Sequence, residues 1–247
     1  GDAAKFLKDI QRNWAGYQFA NFRRGTLIQE KLPYINFKPK NFPFEIVSSN
    51  IGLYTLLDEH TMLVSANTTS TLPLGQITFV EDHENPPSRA YLKIQEALVR
   101  FKAAFPNANL PQENDYCFEA GACPGGWTWV LRNLGCRVMA VDRAPLVEKL
   151  MNDPMVEFVK HDAFTLKPEE IGKVDWVFSD VICYPERLYE WVNKWLDSGL
   201  VSNMICTIKM QGEIDWELVS KFANILSQIL KVLFPNSQIR CKITIFF

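Results

Sequence analysis

The chain has no cysteine pair at C-x-x-C spacing and only three histidines, His60, His83 and His161, scattered over 247 residues. Its six cysteines (Cys117, Cys123, Cys136, Cys183, Cys206 and Cys241) sit in or beside apolar segments. That excludes a small disulfide scaffold, predicts no metal site, and fits a reduced, cytoplasmic protein. No stretch reaches the roughly 20 continuous apolar residues of a membrane span, and the basic start lacks the apolar core of a secretory signal. No membrane partner is therefore expected. A net charge of −2 excludes a globally basic, nucleic-acid-coating chain without excluding a local basic patch. Internal repeats, low-complexity tracts and the G-x-G-x-x-G pattern of dinucleotide loops are all absent.

What is present divides into two halves. Residues 1–40 carry eight cations (Lys5, Lys8, Arg12, Arg23, Arg24, Lys31, Lys38, Lys40) against three acids (Asp2, Asp9, Glu30), a local balance of 8 − 3 = +5. Trp14, Tyr17, Phe19, Phe22, Tyr34 and Phe37 are interleaved with them. Spacing predicts helices from Ala3 to Trp14 and from Arg24 to Lys31. Cations that meet phosphates and rings that stack on bases make this an RNA- or DNA-facing surface, with Arg23, Arg24, Lys31 and Lys38 as its contacts. The plainer alternative is a solvated helical face whose rings dock on the domain. From Phe44 to Val80 come four β-like runs, "FEIV", "GLYTLL", "TMLVSA" and "QITFV", broken by turn residues. The charged "EDHENPPS" marks a boundary, giving a small N-terminal α+β domain over 1–85 and a larger one over 86–247.

The larger part alternates helix and strand. The predicted order is helix 89–105, strand 116–119, helix 126–133, strand 137–141, helix 146–151, strands 156–160 and 176–179, helix 185–196, strand 204–209, helix 216–230 and strand 240–247. Strict alternation predicts an α/β layer with helices on both faces of a sheet, and ligands bound beyond the carboxyl ends of its strands.

In "FEAGACPGGWTWV" a strand passes into a loop that opens a helix, whose first-turn N–H groups have no helical partners. Gly121, Gly125 and Gly126, with Pro124 between them, do not have the spacing that cradles a pyrophosphate. Asp142 ends the next strand in "VMAVD", where a carboxylate can accept both hydroxyls of a ribose. Asp162, in "VKHDAF", ends the following strand and can face an adenine amino group. A loop with no pyrophosphate grip, followed by two strand-end acids, suits an adenosine ligand without phosphates, such as S-adenosylmethionine. A merely structural glycine turn is the alternative.

The ordered set "SRAYLKIQEAL", "EAGACPGGWTWVL", "VMAVDRAPL", "VFSDVICYPERL" and "CTIKMQGE" resembles the FtsJ-like ribose 2′-O-methyltransferases. Within them it is similar to the bacterial enzymes that methylate a cytidine ribose of large-subunit ribosomal RNA. The resemblance spans residues 86–247. It implies a Rossmann-like sheet, S-adenosylmethionine as cofactor and RNA, ribosomal in kind, as partner. It implies a catalytic set of Lys93, Asp180 and Lys209, with Lys209 the leading general base. It also implies cofactor contacts from Ser88, from the run Gly121, Ala122, Cys123, Pro124, Gly125, Gly126 and Trp127, and from Asp142, Asp162 and Asp180. The family's fourth catalytic member, a glutamate in the final strand, falls on Lys242, or on Cys241 after a one-residue shift; Glu213 is a possible substitute.

These residue types suit the reaction. A 2′-hydroxyl is a weak nucleophile, and holding it in line with an activated methyl group supplies much of the rate. A lysine accepts the hydroxyl proton once burial and a second ammonium favour its neutral form. Tyr184 and Pro185 are expected to border the substrate pocket, while Trp127 and Trp129 pack on the sheet. Three competing functions are a non-catalytic RNA-binding protein with this fold, a small-molecule methyltransferase and an NAD-dependent oxidoreductase. The basic, aromatic leader disfavours the second and the glycine spacing the third.

Overall fold

The computed structural model describes residues 1–47, 49–210, 212–233 and 242–246, with side chains described through residue 225. The chain forms two compact units, Gly1–Glu81 and Asp82–Phe247.

The first unit opens with α1 (Asp2–Ile10), which buries Ala4 and Leu7. The sequence pattern carries this helix to Trp14, but it stops at Ile10, and Trp14 instead begins β1 (Trp14–Gly16). The cause is a cap. The Trp14 indole Nε1 donates to the carbonyls of Leu7 (2.8 Å) and Gln11 (2.9 Å), the first of which also accepts the Gln11 N–H at 3.2 Å. Next come α2 (Phe22–Gln29), β2 (Gly52–Leu56) and β3 (Met62–Ser65), with β1 parallel to β2 and β2 antiparallel to β3. "FEIV" forms no strand, and "QITFV" contributes only a bridge between Phe79 and Lys40. Ring packing occupies that segment: Phe44 lies 5.9 Å from Phe79, and the Lys40 ammonium lies 5.3 Å from the Phe44 centroid.

The second unit runs α3 (Tyr91–Ala104), β4 (Tyr116–Ala120), α4 (Gly126–Asn133), β5 (Arg137–Asp142), α5 (Glu148–Met151), β6 (Val156–Lys160), α6 (Pro168–Ile171), β7 (Val174–Ser179), α7 (Pro185–Ser198), β8 (Val201–Thr207), α8 (Trp216–Leu233) and β9 (Lys242–Phe246). The short α6 is not foreshadowed by the apolar pattern. The six strands make one parallel sheet in the order β6-β5-β4-β7-β8-β9. This is the expected Rossmann-like arrangement, and the order reverses between β4 and β7, where such sheets bind ligands.

Side chains alternate across the sheet and find helices on both sides. Trp176 of β7 meets Phe101 of α3 at 5.0 Å, and Phe178 meets Trp127 of α4 at 6.2 Å. From the other face, Phe118 of β4 packs on Trp195 of α7 at 5.4 Å. The pairs Ala120 with Ser179 and Ser179 with Cys206 bring the carboxyl ends of β4, β7 and β8 level. Those ends carry the site.

Candidate active site

Gly121 follows β4 with φ +78°, a left-handed conformation that favours glycine. A Cβ there would lie 2.6 Å from Val181 Cγ2, so the backbone of the loop passes close beside the segment after β7. Gly125 also has positive φ, and a Cβ at Gly126 would lie 2.6 Å from Ser88 Oγ. Glycine therefore lets the loop and the start of α4 close on their neighbours. The loop is pinned from β5: the Asp142 carboxylate accepts the Cys123 N–H and the Ala144 N–H, both at 3.0 Å. Trp127 Nε1 donates to the Ala90 carbonyl at 3.0 Å and ties α4 to the entry of α3.

These contacts enclose a cavity of about 380 Å³. Of the expected cofactor residues, Ser88, Gly121, Ala122, Cys123, Pro124, Gly126, Trp127, Asp142 and Asp180 line it. Gly125 and Asp162 stand outside its lining. Asp162 is engaged elsewhere: Oδ2 pairs with Arg143 (2.6 Å) and Arg187 (3.0 Å), and Oδ1 accepts the Phe164 N–H. Burial pushes the Asp162 carboxyl up, but the two guanidiniums and that N–H outweigh it and leave its pKa below the usual range.

Sequence reasoning missed Glu119. It is 2% exposed near the end of β4 and lines the cavity, and its Oε2 accepts the Thr128 hydroxyl at 2.6 Å. Burial pushes its carboxyl up to about 8, against the Thr128 hydrogen bonds. The signal was available: an acid two residues before Gly121, near the end of an otherwise largely apolar strand.

Lys93, Asp180 and Lys209 come from α3, the residue after β7 and a point two residues beyond β8, and they meet. Lys93 Nζ lies 3.0 Å from Asp180 Oδ2, and Lys209 Nζ lies 3.0 Å from Oδ1 and donates to the Asp180 carbonyl at 2.7 Å. β8 ends at Thr207, so Lys209 is released from the strand expected to carry it. A second cavity, of about 470 Å³, is lined by Lys93, Glu96, Ala97, Trp127 and residues 207–210. Trp127 and Lys209 line both cavities. The two lysines and the aspartate thus stand between a nucleoside-sized space and an adjoining one.

The basic leader behaves differently. Arg23 and Arg24 line one cleft beside Phe22 and Leu27, and Lys38 lines another with Lys40, Phe37 and Phe44. Lys31 is exposed and lines neither. The four expected contacts therefore do not share one pocket. Of the six interleaved rings only Trp14 is in the core, while Tyr17, Phe19, Phe22, Tyr34 and Phe37 are exposed, which favours an available face over docked rings.

The final strand requires a correction. β9 pairs Lys242 with Asn203 and Phe246 with Thr207, so Lys242 opens β9 at the amino-terminal rim. Four residues at about 3.3 Å each separate it from the carboxyl rim, so the Lys242 backbone does not stand where a fourth catalytic group is needed. Cys241 lies outside the described residues, and Glu213 lines neither cavity.

A nucleoside cofactor fits the residues present. The Ser88 hydroxyl is buried with no partner and borders the first cavity, ready for a polar ligand atom. Asp142 and Asp180 face the same space, which suits a cationic ligand and opposes a pyrophosphate. The profile of the family described as FtsJ-like methyltransferase matches residues 86–243. The chain is 37% identical over 126 residues to "Ribosomal RNA large subunit methyltransferase M" of Halorhodospira halophila, covering 51% of this chain and 36% of that protein. It is 31% identical over 198 residues to the protein of that name in Thauera aminoaromatica, covering 76% and 53%. The match in Hahella chejuensis, 31% over 173 residues, covers 70% and 44%. The chain thus spans about a third to a half of the length of these relatives. Profile, motif order and sheet agree, and the chain belongs to the FtsJ-like methyltransferase family.

Proposed function

We infer that the protein transfers a methyl group from S-adenosylmethionine to a ribose 2′-hydroxyl of structured RNA, with large-subunit ribosomal RNA as the target. The observation that carries this reading is the meeting of Lys93, Asp180 and Lys209 between two adjoining cavities. The cofactor, when bound, supplies an activated methyl group. Ser88, the 121–127 loop, Asp142 and Asp180 would hold it; Asp162, outside the cavity lining, is engaged by Arg143 and Arg187 through one oxygen.

The protein's own part is positioning and proton handling. Lys209 has three N–H positions, and Asp180 takes two of them with its carbonyl and Oδ1. The third remains for the acceptor hydroxyl. As the neutral amine, Lys209 accepts the hydroxyl proton there, with Asp180 fixing its orientation. Lys93, more exposed and paired to the other carboxylate oxygen, binds the acceptor oxygen or its neighbouring phosphate. The exposed cations and rings of residues 1–40 would add salt-dependent RNA affinity.

Transfer of labelled methyl from the cofactor to total RNA, followed by nucleoside analysis, tests the reading. A 2′-O-methylated nucleoside is expected. Label on a base overturns the ribose assignment, and no label at all favours a binding protein that retains the fold.

A further inference from the structure

Beside the paired lysines lies a surface that the methyl-transfer reading does not use. In the segment from Asp180 to α7, Ile182 is 77% exposed and Tyr184 is 67% exposed. Isolated exposed apolar residues are ordinary, but these two stand two and four residues from Asp180, and Ile182 also lines the 380 Å³ cavity. The backbone beneath them is anchored. The Tyr184 carbonyl accepts the N–H groups of Arg187 (3.1 Å) and Leu188 (3.3 Å), and Pro185, the first residue of α7, is buried. Cys183 packs against the core between them. Among the described residues the Tyr184 ring and hydroxyl have no partner. A rigid mount thus presents an uncovered aromatic ring four residues from Asp180 and outside the linings of both cavities.

The charges around it indicate what covers it. Arg187, one turn into α7, lies with its guanidinium 5.2 Å over the Phe164 ring and 3.0 Å from Asp162. Arg143 shares the same carboxylate oxygen and remains largely exposed. Two guanidiniums on one carboxylate leave a net positive charge. On the other side of Asp180, Lys93 and Lys209 likewise outnumber the single carboxylate they share. A ring and an aliphatic side chain with arginines beside them match an unpaired nucleotide, whose base offers a flat apolar face and whose phosphate offers negative charge.

We propose that Tyr184 is a stacking platform for an unpaired base of the RNA, with Ile182 beside it and Arg143 and Arg187 receiving an adjacent phosphate. The proposal rests on the RNA reading above and adds the element that grips the base. The ring face does the work, so Tyr184→Phe retains it and Tyr184→Ala removes it. Loss of one base–aromatic stack weakens affinity by about 5- to 140-fold.

The test titrates the full chain into a short single-stranded RNA carrying 2-aminopurine, in the presence of S-adenosylmethionine. The unaltered protein and Tyr184→Phe are expected to quench the fluorescence. Tyr184→Ala should lose both the quench and the affinity while its calorimetric affinity for the cofactor stays unchanged, which shows the fold intact. Unchanged quench and affinity in Tyr184→Ala overturn the platform, as does an exposed surface that leaves RNA alone and binds protein. Labelled methyl transfer to total RNA keeps the two readings apart. Transfer by the unaltered protein together with a Tyr184→Ala variant that binds RNA normally rejects only the platform. A Tyr184-dependent quench with no transfer rejects only methyl transfer.

Discussion

Lys209 touches Asp180 through both its carbonyl and its carboxylate, and that double contact separates it from an ordinary surface lysine. Methionine keeps the length and apolar stem but removes every N–H. Lys209→Met should leave cofactor affinity within about twofold and lower single-turnover methylation of ribosomal RNA by about 10²–10⁴-fold, the range of acid–base assistance. A wild-type rate in that variant would remove Lys209 from the mechanism. Glu119 makes a different prediction at the same scale. Burial raises its carboxyl from an ordinary 4.5 to about 8, so the folded state holds its proton more tightly than the unfolded chain. Its contribution to stability is complete below about pH 4.5 and is lost as pH rises through about 8, by several kcal/mol at most. Urea unfolding at a series of pH values should show stability falling across that window, and Glu119→Gln should flatten the fall. An unchanged slope means that other groups set the pH dependence.

Two elements owe their form to single residues. The loop after β4 depends on Gly121, where positive φ and the closeness of Val181 both exclude a side chain. Gly121→Ala costs on the order of 1–2 kcal/mol in backbone strain alone, and the crowding with Val181 adds to it. Calorimetry should find at least about tenfold weaker S-adenosylmethionine binding; unchanged binding would show that the loop relaxes without cost to the cavity. In the first unit, α1 ends where the Trp14 indole reaches its carbonyls. Trp14→Phe keeps an aromatic ring and loses the N–H, taking the indole bond from the Gln11 carbonyl and leaving the Leu7 carbonyl with the Gln11 N–H alone. A loss of about 1–3 kcal/mol is expected, read as a lower denaturation midpoint of the first unit.

For the whole molecule, the leader and the final strand are the places where charge changes are informative. Arg23→Ala/Arg24→Ala/Lys31→Ala should weaken RNA binding across sequences and reduce the slope of log affinity against log salt by about 0.7 for each phosphate left without its cation. An unchanged slope would make the patch a solvated face. Because β9 places Lys242 at the amino-terminal rim, Lys242→Glu is expected to leave methylation within about twofold of the unaltered protein. A large change in either direction would contradict that register.

Much of this was legible in residue order. Alternating apolar runs identified the α/β sheet, and the strand–loop–helix grammar around Gly121 pointed to the ligand end because glycine is required where backbones approach closely. The family resemblance carried by the ordered motifs also singled out Lys93, Asp180 and Lys209, residues 116 positions apart from first to last, whose meeting depends on strand order. Other features belong to tertiary structure alone. Local pattern carried α1 through Trp14, whereas the indole's contact with carbonyls earlier in the chain ended it. Composition marked Asp162 as an acid at a strand end, but only folding brought Arg143 and Arg187 onto one of its oxygens. Glu119 looked like part of a strand, and its raised proton affinity exists only because the sheet and α4 remove it from water. The sequence by itself determined the helix–strand alternation of the second unit and which end of its sheet bears the chemistry, since propensity and period act locally. Tertiary structure decided which charges meet, which are buried and where β9 is registered, since those depend on neighbours distant along the chain.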